Sequence, residues 1–167
     1  GSPFDSGVLG GDVGRVLCVS GADGSLIHKI FDPDGTGSDQ LGTDVAGIAD
    51  LTGDHVPDIL AGAVREDSGV SDNGAILVFS GADGTLAQRV PLTDAGTGRH
   101  FGTSVAAVGD LNGDLIPEFA GGAPEDDTEG QNAGRVLVIN GADFSVLHDL
   151  TVPGSSLESN LGVALGG

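Results

Sequence analysis

The chain contains no tryptophan, tyrosine or methionine, a single cysteine, and only six basic residues among 167. Each scarcity removes a class of function. Against 25 acidic residues, those six leave a formal net charge of −19, which repels nucleic acid and anionic membrane surfaces. The same charge suits cations, solubility or a salty extracellular medium. No apolar run is long enough to span a bilayer, so no membrane insertion is expected. One thiol, Cys18, excludes an intrachain disulfide framework and leaves the redox compartment open. No secretory leader heads the sequence, and Gly1 reads as a processed, cloned or cut end. Glycine is what the chain has in excess. Its 31 glycines imply many turns, while 38% apolar residues are enough for a packed core.

The sequence repeats itself. LGTDVAGIADLTGDHVPDILAGA starts at Leu41, FGTSVAAVGDLNGDLIPEFAGGA at Phe101, and LGVALGG at Leu161, each 60 residues after the last. GRVLCVSGADGSL from Gly14, GAILVFSGADGTL from Gly74 and GRVLVINGADFSV from Gly134 keep the same offset. A chain that holds register through a whole unit is an array of one supersecondary block. In the last copy the block reads as four short strands, at 104–108, 118–122, 135–140 and 146–152, with no persuasive helical period anywhere. Gly-Ala-Asp-Gly separates the third and fourth strands and supplies residues that tolerate positive φ. Phe144 stands where Gly24 and Gly84 stand, so that turn is expected to be strained or of another type.

Four antiparallel strands per 60 residues predict an all-β architecture of propeller-type blades. With Phe101-Gly102 and Gly121-Gly122-Ala123-Pro124 in place, the unit resembles the FG-GAP repeats of the integrin α-subunit head and of bacterial secreted proteins. The resemblance rests on FGTSVAAVGDLNGDLIPEFAGGAP, residues 101–124, and on the fainter LGTDVAGIADLTGDHVPDILAGAV, residues 41–64. The expected division is a partial blade at 1–40 holding strands three and four, full blades at 41–100 and 101–160, and the first strand of a further blade at 161–167. Such an array does not close a ring by itself. Copies of the chain associating head to tail, into a ring or a filament, or flanking blades of a longer chain, would complete it.

Both copies carry an acidic loop between the first and second strands. DLNGDLIPE offers Asp110, Asn112, Asp114 and Glu118 at its first, third, fifth and ninth positions, with the Ile116 carbonyl as a further ligand. DLTGDHVPD offers Asp50, Thr52, Asp54 and Asp58, with the Val56 carbonyl. A hard cation such as Ca²⁺ needs six to eight oxygens at short range, which alternate side chains of a curled loop can supply. The resemblance implies structural calcium at these same places. An Asx-rich turn would explain acids and amides in one loop, but not the alternate spacing twice over. Both loops depart from the family at the sixth position, where Leu115 and His55 replace glycine and are expected at positive φ. The loop DPDGTGSD, residues 32–39, is a further candidate for a cation or a plain exposed turn.

Other chemistry finds little support. The carboxylates Glu125, Asp126 and Asp127, and Glu66 with Asp67, lie in Gly-rich loops without an evident pocket wall, and no enzymatic role is expected. His28 and His148 share one position with Gln88, which marks a tolerant surface place, and the four histidines form no zinc pattern. Cys18 aligns with Val78 and Val138, as a buried small hydrophobe would. By resemblance, partners would meet the loops at 3–13, 65–73 and 125–133, and those at 32–40, 93–100 and 153–160. These loops are acidic and poor in the aromatic anchors of a hot spot. The sequence therefore predicts a non-enzymatic, calcium-binding, extracellular or cell-surface module of bacterial type with a structural or adhesive role, self-associating or binding a protein or glycan ligand. The competing readings are a ligand-binding segment of a larger integrin-like propeller, or an ancillary propeller of a larger secreted hydrolase or lyase.

Overall fold

The computed structural model describes residues 1–6, 12–67, 71–92, 97–154 and 159–167, and within them the secondary structure is strand and turn without helix. Parts of four of the six loops named above, residues 7–11, 68–70, 93–96 and 155–158, lie outside the described residues. Among the described residues, ten strands form three antiparallel sheets. β1 (Val16–Val19) pairs with β2 (Leu26–Ile30). β3 (Leu41–Ile48), β4 (Asp58–Ala63), β5 (Ala75–Phe79) and β6 (Leu86–Pro91) follow one another across a second sheet. β7 (Ser104–Gly109), β8 (Glu118–Ala123), β9 (Arg135–Ile139) and β10 (Val146–Leu150) repeat that order in a third. The expected strands fall within two residues of those observed, and the repeat survives to single pairs, since Leu60 faces Val78 as Ala120 faces Val138. The blades do not close a ring.

Burial explains why the third strand of each block is its most apolar. All five residues of β5 are buried, and its two faces serve different cores. Ile76 and Val78 join Phe101, Phe119, Leu137 and Ile139 in the core shared with the last sheet. Ala75, Leu77 and Phe79 join Val16, Ile30 and Leu41 in the core shared with β1 and β2. A strand covered on both sides gains nothing from polar alternation, so it reads as a continuous apolar run.

The blades are clasped at the start of each first strand. Gly14 bridges Leu41, Gly74 bridges Phe101 and Gly134 bridges Leu161, all in parallel sense. Glycine is required where the backbones meet: a Cβ on Gly62 would lie 1.8 Å from the Gly102 carbonyl oxygen, and one on Gly122 would lie 1.9 Å from that of Gly162.

The turn at Phe144 keeps its type and carries the expected strain: Phe144 adopts φ 61°, close to Gly24 at 72° and Gly84 at 75°, and donates its N–H to the Asn140 carbonyl as the glycines do to Ser20 and Ser80. A left-handed side chain costs about 1–2 kcal/mol, offset here because the ring packs against the inter-blade core, 6.4 Å from the Phe119 ring. Cys18, expected to be buried, is only half-buried. Among the described residues its β1 edge has no neighbour like the one that β4 gives β5, apart from the Ser2–Arg15 bridge, and the thiol borders an open groove.

Candidate metal loops

The two acidic loops are the β3–β4 and β7–β8 connections, and their carboxylates first organise backbone. Asp50 Oδ1 accepts from the N–H groups of Gly53 at 2.6 Å and Asp54 at 3.2 Å, and its Oδ2 from that of His55 at 2.7 Å. Asp58, buried, accepts from Leu51 at 2.7 Å and Thr52 at 2.9 Å, and across the blade from Gly81 at 3.0 Å. Asp54 accepts from the Val56 N–H at 2.8 Å and from the Ser80 hydroxyl at 3.0 Å. These bonds curl the loop until one oxygen from each of Asp50, Asp54 and Asp58 lies within 4.8 Å of the others. The Thr52 hydroxyl sits between Asp50 and Asp58, at 3.4 and 3.3 Å. Burial pushes the Asp50 carboxyl up, but the N–H bonds from His55, Gly53 and Asp54 and the nearby imidazole outweigh it, holding the group below the ordinary aspartate range.

The second loop has the same backbone and a different centre. Asp110 accepts from Gly113 at 2.6 Å and Leu115 at 3.0 Å, and the fully buried Glu118 accepts from Leu111 at 2.6 Å. Asp114 accepts from the Ile116 N–H at 2.8 Å. Asn112 turns its amide nitrogen inward, 2.9 Å from Asp114 and 3.1 Å from Glu118, while its oxygen accepts from the Asp114 N–H. Among the described residues, the Asp50 loop supplies the one trio of acidic side chains drawn this close, and the Asp110 loop does not. An inward N–H₂ relieves the repulsion that a cation would otherwise relieve, so ligation by Asn112 requires its amide to turn over. His55 and Leu115 take φ 68° and 73°, the left-handed geometry expected at the sixth position.

The FG-GAP repeat family matches residues 101–139, the third sheet's first three strands with the second loop. Mouse integrin alpha-2 is 30% identical over 132 residues, 74% of this chain and 11% of that protein. Human integrin alpha-6 is 36% identical over 119 residues, 70% of this chain and 10% of that protein. This chain belongs to the FG-GAP repeat family. It spans about a tenth of the length of these curated relatives. Among solved structures, the Dos1 propeller superposes with a TM-score of 0.51 at 13% identity, covering 83% of this chain and 31% of that one, a likeness of fold.

Several other acids of the FG-GAP blades, Asp32, Glu66 and Asp126 among them, are bound by arginines, which sequence spacing gave no means to pair. In the 32–39 loop, Arg89 bonds Asp32 and reaches Glu66 at 3.2 Å and Asp34 at 3.7 Å, so a side-chain cation occupies the neighbourhood proposed for a metal. Burial is the main cause holding both Asp32 and Asp39 above the ordinary range, against N–H bonds from Asp34 and Thr36 respectively. Asp126, fully buried, meets Arg99 at 2.7 Å and Arg135 at 3.7 Å, and Glu125 meets His100 at 3.0 Å. Buried, arginine-bound carboxylates hold loops in place, and they are poorly arranged for acid–base work. His28, read as a tolerant surface position, has a defined partner: its Nε2 lies 3.0 Å from the Gly81 carbonyl of the next blade.

Proposed function

We propose that the chain is a calcium-stabilised segment of an integrin-type propeller, working outside the cell in a structural or adhesive role without catalysis of its own. The observation that carries this is the convergence of Asp50, Asp54 and Asp58 within 4.8 Å on a loop whose backbone they already organise. Three carboxylates drawn that close repel one another, less where Asp54 meets solvent. A divalent cation reverses the sign. Asp50, Asp54 and Asp58, with the Thr52 hydroxyl and the Val56 carbonyl, would hold it. Asp110, Asn112, Asp114, the Ile116 carbonyl and Glu118 form the second and weaker site. When bound, calcium would supply only charge and cross-linking, tying each first strand to its second.

Isothermal titration calorimetry tests the assignment. Calcium is expected to bind with a dissociation constant of roughly 10⁻⁴–10⁻³ M, the range of extracellular modules. Asp50→Ala with Asp54→Ala should abolish the tighter event, and Asp110→Ala with Asp114→Ala only the weaker. Binding unchanged in the first double variant removes the Asp50 site. Saturation at a hundredfold excess over the dissociation constant should add about 2.7 kcal/mol to stability.

A further inference from the structure

The geometry points to Asn112 as a site of self-modification: the Asn112-Gly113 pair of the second loop closes to a succinimide and reopens as an acid, exchanging an amide for a carboxylate. The modification stands on the chain's own chemistry, and its consequence for cation binding rests on the calcium reading. An asparagine followed by glycine is prone to this cyclisation, because no β-carbon on the next residue hinders its backbone nitrogen from reaching the side-chain carbonyl. Three such pairs occur, at Asn73, Asn112 and Asn140.

The fold locks two of the three. Asn73 and Gly74 are both buried. Asn73 Nδ2 donates to the Leu92 carbonyl at 3.3 Å, the Gly74 N–H donates to that of Glu66 at 3.1 Å, and a Cβ on Gly74 would lie 2.2 Å from the Phe101 carbonyl oxygen. Gly141 is buried too, and a Cβ there would lie 2.2 Å from the Pro117 carbonyl oxygen. Neither backbone can swing its nitrogen without pushing aside a neighbouring segment. In the second loop Asn112 and Gly113 are both exposed, and nothing stands within 4 Å of the place a Cβ on Gly113 would take.

The loop also brings up the groups that the reaction uses. The nucleophile, the Gly113 nitrogen, donates its N–H to Asp110 Oδ1 at 2.6 Å, so a carboxylate stands where the proton must go. Asn112 Oδ1, on which negative charge gathers as that nitrogen adds, accepts from the Asp114 N–H at 2.8 Å. The departing Nδ2 lies 2.9 Å from Asp114 and 3.1 Å from Glu118, whose carboxylates favour the positive charge it takes on when protonated. The bond from Gly113 N to Asn112 Cγ forms and the Cγ–Nδ2 bond breaks, its electron pair leaving on nitrogen. The proton lost by Gly113 passes through Asp110 and water to that nitrogen, which departs as ammonia. Water then adds across either imide C–N bond to give aspartate or its β-linked isomer. The first loop repeats the 2.6 Å bond from Gly53 to Asp50, but Thr52 has no carbonyl to attack. Aspartate at position 112 has no inward amide to turn over, so the second loop gains an acidic ligand at its third position.

Peptide mass spectrometry after incubation of the 167-residue chain in chelator at neutral pH reads the three pairs separately, since trypsin cuts after Arg65, Arg89, Arg99 and Arg135 and leaves them on different peptides. Asn112 is expected to exchange amide for acid at least about tenfold faster than Asn73 or Asn140 in the folded chain, and at nearly their rate in urea. Asp110→Asn keeps a hydrogen-bond acceptor and removes the base. It should slow the exchange at Asn112 about tenfold in the folded chain and leave the rate in urea unchanged. Equal rates at the three asparagines of the folded chain overturn the proposal, as does an Asp110→Asn variant that reacts as fast as the parent. Calorimetry on Asn112→Asp, the product form, addresses the consequence: its second calcium event should tighten at least about tenfold over the parent's. A parent calcium heat that Asn112→Asp fails to strengthen overturns that gain. Absence of any calcium heat in either form removes the calcium reading and leaves the modification standing.

Discussion

Leu115 carries an avoidable cost. It holds φ 73° on a loop tip with 90% of its surface exposed, so its side chain contributes little packing to offset the left-handed backbone. Leu115→Gly should stabilise the folded chain by up to about 1 kcal/mol, the relief of strain being partly offset by the greater freedom of glycine in the unfolded state. Urea denaturation would register this as a higher midpoint at unchanged slope. A lower midpoint would mean that Leu115 makes a stabilising contact. Phe144 is the instructive contrast at a similar φ, because its ring reaches the inter-blade core and Phe144→Gly would lose that packing. The motif made the conformation of Leu115 predictable and left that of Phe144 open between strain and another turn type, and it did not say which of the two residues repays its strain.

Titration of the inter-blade acids belongs to the same scale. Asp39 is buried and held above the ordinary aspartate range by that burial, with the neighbouring Glu66 and Asp32 charges adding to it against the Thr36 bonds. A carboxyl whose folded pKa exceeds its unfolded value favours the fold when protonated. Its contribution is fully present below the unfolded value of about 3.9 and is lost as pH rises through the folded value. Asp39→Asn should therefore gain stability over the parent near pH 7 and gain little near pH 3, where both side chains are neutral. Equal gains at the two pH values in urea titrations would rule out burial of the charge as the cause.

Among the strands, the second of each block is where sequence and packing meet most tightly. β4 and β8 read DILAGA and EFAGGA, and their glycines are there for the neighbouring blade. A methyl group on Gly62 would sit 1.8 Å from a backbone carbonyl oxygen of Gly102, which no rotamer change can relieve. Gly62→Ala should cost at least about 2 kcal/mol, the upper part of the overpacking range. Gly53→Ala meets no such atom, but Gly53 has φ 81°, so its cost is conformational. Comparing the two by thermal unfolding separates close approach from backbone preference. Equal small losses would show that the blades can spread apart.

For the molecule as a whole, the 60-residue period made the architecture legible because each unit repeats one set of burial demands. Leu41, Phe101 and Leu161 are each clasped to the preceding blade, and the third strands β5 and β9 are apolar runs covered on two sides. The candidate loops were equally legible as to position, since alternate oxygen-bearing side chains are a local pattern. Their difference in competence was not. Asn112 and Thr52 occupy the same place in the repeat, yet one turns a donor toward its acidic neighbours and the other leaves three carboxylates close together.

Sequence alone thus determined the unit, its strands, its Gly-Ala-Asp-Gly turns, the positive φ of His55 and Leu115 and the two acidic loops, because these follow from contacts between residues near one another in the chain. Tertiary structure alone decided which acids meet arginines and which meet each other. Arg89 reaches back 57 residues to Asp32, and Arg99 reaches forward 27 to Asp126. It also left Cys18 beside an open groove although its repeat partner Val78 is buried. The physical reason is common to these cases: a side chain's environment in a stacked array is set by the neighbouring blade, whose residues lie dozens of positions away and whose presence no local pattern records.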